Sequence, residues 1–264
     1  MKRDNQQPIG IFDSGIGGTS IWKEIHSLLP NESTIYLSDS KNAPYGQKSK
    51  EEILDLSIKN TEFLINKGCK LIVVACNTAT TNAIDYLRNN YSIPIIGIEP
   101  AIKSASIQTK TGVIGILATK GTLNSRLFEQ TSATIDNNIT IVEQIGIGLV
   151  ELIENGKIHS LEMTTLLKQH LKSMLLSKCD CIVLGCTHYP YLIPQIREIA
   201  GKDISIIDSG EAVARQTKNI LTKKGLISNS KLNIYNTFFI NKEKKVLDNI
   251  LKDYKKVVVN YLDF

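Results

Sequence analysis

Two short apolar runs, each ending in a cysteine, restrict the folds open to this chain more than any other feature. Leu71 to Ala75 leads into Cys76, Asn77 and Thr78, and Cys181 to Gly185 leads into Cys186, Thr187 and His188. Short apolar runs bounded by small polar residues read as buried strands. Further strand patterns cover 9–12, 34–37, 95–98, 112–117, 140–142 and 205–208. Helical patterns lie between them: one reaches about Leu29, one passes Asp85 and Leu87, one spans about 160–176, and one passes Gln216. Ser49 and Glu52 form a capping-box pattern that opens another helix, running to about Lys67 with Gly68 past its end. Strands alternating with helices predict an α/β fold of mostly parallel sheet. The matching cysteine strands predict two similar lobes, each a sheet flanked by helices. Their strand carboxyl ends would meet at one cleft, where open parallel sheets bind ligands.

With 264 residues, 42% of them hydrophobic, the chain can build one large core or two smaller ones. No apolar run approaches the roughly 18 residues of a membrane span. The first eight residues, Met1 to Pro8, are polar and lack the apolar stretch of a signal peptide. Five cysteines form an odd set without a disulfide framework, which suits a reducing, cytoplasmic compartment. The net charge of +5 is concentrated at one end: residues 215–264 carry 11 Lys and Arg against 4 Asp and Glu. A basic end can mark a nucleic-acid surface, but no nucleic-acid motif accompanies it. The stretches 242–245 and 252–256 read instead as the solvated face of a helix, with Val246, Leu247, Ile250 and Leu251 inward.

The chemistry gathers at strand ends. Free cysteine is ordinarily a small buried hydrophobe, and that reading suits Cys69, Cys179 and Cys181. Cys76 and Cys186 each stand at a strand end before a helix start, where amides favour a thiolate. Zinc is the rival reading for Cys179, Cys181, Cys186 and His188, but alternate strand residues point to opposite faces. Asp13 to Gly18 turn from a strand into a helix. Their amides suit a carboxylate and Asp13 an ammonium, so the turn fits a small zwitterion better than a pyrophosphate; it also reads as a plain tight turn. Asn42 to Gly46 form a turn cluster whose Tyr45 hydroxyl and Gly46 amide suit a second anionic group, or simply a loop. His188 tunes or protonates the neighbouring thiol, or caps a helix. His26, His159 and His170 read as structural.

Four segments in order, 10–18, 38–46, 74–79 and 184–190, resemble the glutamate racemases of the Asp/Glu racemase superfamily. The resemblance implies two α/β lobes with the active site between them: residues 1–97, 98–207, and a return over 208–264 that completes the first lobe. It implies no cofactor, and a product, D-glutamate, destined for peptidoglycan. Carried over by motif, Cys76 and Cys186 are paired acid/base thiols, assisted by Asp13 and His188 respectively. Ser14, Tyr45, Gly46, Asn77, Thr78, Thr187 and His188 match substrate-contacting positions, with Asp13 beside them, and Glu154 resembles an acidic position near the ammonium. The chain departs from the family where Gly146 and Ile147 replace a Cys-Pro pair, and where 118–122 match only in part.

The expected reaction is a 1,1-proton transfer at Cα of glutamate, one thiolate removing the proton and the opposite thiol supplying another. The expected partner is the small-molecule substrate, with no membrane or nucleic acid; a homodimer is also compatible with the family. Two other readings stay open from sequence: an aspartate or hydantoin racemase, and a non-catalytic amino-acid-binding protein.

Overall fold

The computed structural model describes residues 4–230 and 234–264; Met1 to Arg3 of the polar start and Lys231 of the basic end lie outside them. Ten strands are formed among the described residues: Ile9–Asp13 (β1), Thr34–Ser38 (β2), Leu71–Val74 (β3), Ile95–Gly97 (β4), Val113–Ala118 (β5), Thr140–Ile145 (β6), Cys181–Gly185 (β7), Ser205–Ile207 (β8), Asn236–Ile240 (β9) and Val257–Tyr261 (β10). They build a six-stranded sheet in the order β10-β9-β2-β1-β3-β4 and a four-stranded sheet in the order β6-β5-β7-β8. Every pairing is parallel. The fold is α/β, with two parallel sheets flanked by helices.

Without β9 and β10, the first sheet reads β2-β1-β3-β4 and the second β6-β5-β7-β8, the same order. β3 and β7 therefore occupy equivalent places, and each leads straight to a cysteine of the pair. All residues of β1, β3 and β7 are buried, because helices cover both faces of a parallel sheet. One apolar cluster runs from Trp22 and Ile25 through Leu149 and Ile153 to Leu184 and Leu192, so the lobes share a core.

Local signals explain several boundaries. The helix Lys50–Asn66 opens on the reciprocal capping box of Ser49 and Glu52, and Gly68 beyond its end takes φ +77°, a conformation that favours glycine. In the basic end, the helix Lys245–Leu251 buries Leu247 and Leu251 and half-buries Val246 and Ile250. The stretch 252–256 is not a helix face, as the charge pattern predicts, but the turn that feeds β10. Two chain crossings join the lobes, and they touch: Ser209 Oγ donates to Glu99 O at 2.5 Å.

At the amino ends of the first sheet's strands lies a buried ion pair. Lys70 Nζ meets Glu32 Oε2 at 2.5 Å, with both side chains almost wholly enclosed. Asn5 O accepts from the same ammonium, and Glu32 Oε1 accepts from Ser228 N at 2.7 Å. Three distant segments are tied to the β3 entrance in this way.

Candidate active site

The glycine turn after β1 lies at the carboxyl end of the first sheet. Its amides are taken by the protein's own groups. Asp13 Oδ2 accepts from Gly15 N at 3.1 Å and Gly18 N at 2.9 Å. Glu154 Oε1 accepts from Ile16 N at 2.7 Å, and Gly17 N lies against the His188 ring, 3.2 Å from Nε2. The turn is thus not the open carboxylate cradle that its sequence suggests. Glycine is required at positions 15 and 17 because a Cβ there would lie 2.0 Å from Glu154 Oε1 and 2.2 Å from His188 Nδ1. The second lobe presses directly on this turn.

Cys76 is the N-cap of the helix Asn77–Asn90, and its sulfur accepts from Ala79 N at 3.4 Å. It also lies 3.6 Å from Ser14 Oγ. The helix-start position predicts a lowered thiol pKa, but burial and then the Asp13 charge push the Cys76 thiol up, outweighing the Ala79 and Ser14 hydrogen bonds. Cys76 therefore rests protonated. Burial likewise raises Asp13, against the His188 charge and the Gly18 amide. Asp13 Oδ1 accepts from Thr187 Oγ1 at 3.3 Å, which links the first lobe to the residue after Cys186.

The second thiol has different company. Cys186 Sγ lies 3.8 Å from His188 Nδ1, and His188 Nε2 lies 2.6 Å from Glu154 Oε1. Burial pushes His188 down, but the hydrogen bonds and charges of Cys186 and Glu154 outweigh it and hold the imidazole well above its usual value. Burial pushes Glu154 up, and His188, Ser40 and the Ile16 amide reverse this to leave it lowered. Glu154 Oε2 accepts from Ser40 Oγ at 2.7 Å. The carboxylate therefore clasps the two lobes and orients the histidine. The ammonium neighbour implied by the resemblance is, in this geometry, a partner of His188.

The remaining candidates lie where the two lobes meet. Asn77 is buried, and neither its Nδ2 nor its Oδ1 has a protein partner, although buried amides rarely go unpaired. Thr78 Oγ1 meets Thr119 Oγ1 at 2.8 Å and Thr122 Oγ1 at 3.3 Å across the lobes. A Cβ on Gly46 would lie 2.8 Å from Thr119 Cβ, so the loop before the first long helix abuts the second lobe as well. The Tyr45 hydroxyl donates to Asp39 Oδ2 and is not free to hold an anion, contrary to the sequence reading. Asp39, Ser40, Thr119 and Thr122 enter the site without having been singled out. Ser40 and Asp39 stand within the segment 38–46, and the two threonines within 118–122, but only the fold brings them opposite Glu154, Tyr45 and Thr78. The departure at Gly146 also has a cause, since a Cβ there would lie 2.3 Å from the Tyr189 hydroxyl.

The other histidines have structural settings. His26 stacks on Trp22, His159 lies 3.4 Å from Gln195 Nε2, and His170 sits between Gln144 Nε2 and Ile147 O. Among the described residues, no three His, Cys, Asp or Glu side chains group as a metal site requires. No helix among them is long and apolar enough to cross a membrane.

Residues 9–217 match the model of the Asp/Glu/Hydantoin racemase family. The glutamate racemase of Herpetosiphon aurantiacus is 46% identical over 222 residues, 84% of this chain and 87% of that protein. That of Pseudomonas putida is 41% identical over 249 residues, 94% of each chain. Among solved structures, a glutamate racemase isoform from Bacillus anthracis superposes with a TM-score of 0.88 at 33% identity, covering 98% of both chains. The Escherichia coli glutamate racemase, solved with L-glutamate and an activator, UDP-MurNAc-ala, gives 0.85 at 32% identity, covering 97% of this chain and 98% of that one. A matched sheet order, two cysteines at equivalent strand ends and these likenesses along nearly the whole chain agree: the protein belongs to the Asp/Glu/Hydantoin racemase family and is an amino-acid racemase.

Proposed function

We propose that the chain is a cofactor-independent glutamate racemase that interconverts L- and D-glutamate by proton transfer between Cys76, Cys186 and the substrate Cα. The observation that carries this reading is the pair of buried thiols at equivalent strand ends of two equivalent sheets, each with its own acid/base neighbours. In one direction the thiolate of one cysteine takes the α-proton, and the thiol of the other delivers a proton to the opposite face. In the other direction the roles exchange.

Asp13 serves the Cys76 side and His188, oriented by Glu154, the Cys186 side. Acid–base catalysis supplies about 10²- to 10⁴-fold. The rest comes from fixed hydrogen bonds to the α-carboxylate in a cleft that excludes water. Ser14, Asn77, Thr78, Thr187 and His188 line the substrate; the unpaired amide of Asn77 suits a polar ligand. Tyr45 and Gly46 carry the loop facing its distal carboxylate. The same reading divides the chain at 1–97, 98–207 and 208–264, and places it in the cytoplasm, supplying D-glutamate for peptidoglycan.

The test is α-proton exchange and racemisation of each enantiomer in D₂O, with Cys76→Ala and Cys186→Ala alongside the parent. Turnover is expected to fall by at least about 10³-fold in either variant with the fold retained. Appreciable racemisation by one single variant would refute the two-thiol reading. A parent protein that binds glutamate without exchanging its α-proton would point to a binding protein instead.

A further inference from the structure

Asp39 is a buried carboxyl group that the proposed proton transfers do not use. It stands just past β2, is 1% exposed, and has no ion-pair partner among the described residues. Three neutral donors from two parts of the chain satisfy it instead. Asn42 Nδ2 donates to Oδ1 at 2.8 Å, Asn241 Nδ2 donates to the same oxygen at 2.6 Å, and the Tyr45 hydroxyl donates to Oδ2. Asn241 uses the other end of its amide as well, accepting from Lys41 N at 2.9 Å. Asn60 Nδ2 donates to the Tyr45 oxygen at 3.1 Å. Asn241 follows β9 in the return segment, and Asn60 lies in the helix Lys50–Asn66.

We infer that Asp39 is a positioning residue for recognition of the substrate's distal end: it fixes the Tyr45–Gly46 turn by holding the Tyr45 hydroxyl, and Asn241 makes the return segment part of that mount. Tyr45 is itself almost fully buried. Its one hydroxyl proton is spent on Asp39, and one of its lone-pair directions is taken by Asn60. The side chain therefore has no donor for an anionic ligand, and ligand affinity depends on where the turn is held. A carboxylate suits this role better than an amide, because all of its directions accept and three donors converge on it. The inference rests on the glutamate racemase reading.

The experiment compares the parent with Asp39→Asn, Tyr45→Phe, Asn241→Ala and the double variant Asp39→Asn/Tyr45→Phe, using L- and D-glutamate and α-deuterated forms of each. Each single variant is expected to raise KM about tenfold, the effect of loosening one buried hydrogen bond. The kcat and the primary isotope effect should stay within about twofold, because the thiols are untouched. The double variant should be no worse than its more affected parent variant, since both break one link. Asn241→Ala leaves every residue of the turn in place, so it reads the mount even if Asp39→Asn folds poorly.

A fall in kcat with KM unchanged, an unchanged KM in all the single variants, or effects of Asp39→Asn and Tyr45→Phe that multiply would each overturn the inference. A parent protein inactive on glutamate would instead overturn the functional reading beneath it.

Discussion

Gly17→Ala tests the contact between the glycine turn and the catalytic side of the second lobe. The added Cβ would lie 2.2 Å from His188 Nδ1, 2.5 Å from Cγ and 2.6 Å from Cε1. Ordinary contact between such atoms begins near 3.5 Å, so the ring must retreat by about 1.3 Å or the lobes must part by as much. Neither movement is free. The ring is held by Glu154 at 2.6 Å, and it sets the 3.8 Å approach to the Cys186 sulfur. A displacement of about 1 Å at a reacting group costs about 10²-fold, or roughly 2.7 kcal/mol of barrier. The assay is racemisation of each enantiomer followed by circular dichroism. The ratio kcat/KM must fall by the same factor in both directions, because the two enantiomers have equal energy and no variant can shift their equilibrium. The thermal midpoint should drop by only a few degrees, since the clash is relieved by opening the cleft rather than by unpacking a sheet. A Gly17→Ala protein with kcat within threefold of the parent would refute the assigned role of His188, or its proposed rigidity.

Two further outcomes can be checked directly. Lys70→Met leaves Glu32 buried and without its cation, and should cost about 3–5 kcal/mol in denaturant unfolding. Lys70→Met/Glu32→Leu should recover much of that loss, and a double variant as unstable as the sum of its singles would contradict the pairing. The Glu154–His188 pair sets a pH window. Glu154 is lowered in the fold, so its contribution is present above its ordinary value of 4.5 and is lost as pH falls through the lowered one. His188 is raised, so its contribution is complete below its ordinary value of 6.5 and is lost as pH rises through the raised one. The gap in melting temperature between the parent and His188→Asn should therefore be widest between about pH 4.5 and 6.5; a gap independent of pH would contradict the pairing.

The alternation of elements is readable in the sequence because each carries its own local signal. The Ser49–Glu52 box, the apolar runs before Cys76 and Cys186, and Gly68 need no distant partner to be recognised. β9 and β10 do not stand out in the sequence, because the lysines at 242–245 and 252–256 that flank them mimic the exposed face of a helix. Asn236–Ile240 becomes a strand by pairing with β2, about two hundred residues earlier in the chain. In the site, the cysteines and the flanking motifs stand out by residue type. The crowding of the glycine-turn amides does not, because the side chains that face them, Glu154 and His188, come from 138 and 171 residues away. The raised Cys76 thiol is hidden for the same kind of reason: the helix start is local, but burial and the Asp13 charge depend on segments brought together by the fold.

The return of the chain to its first sheet also orders events in time. β2 lies between β1 and β9, so one of its edges is covered only by residues made after the second lobe. While the second lobe is being made, a nascent first lobe presents β2 as an open edge, the kind of surface on which chains stick to one another. The second lobe can close its own four strands without waiting. Folding from the ribosome should thus complete the second sheet before the first, and a chain cut short before Asn236 would keep a complete second sheet while leaving the first one able to recruit a strand from a neighbour.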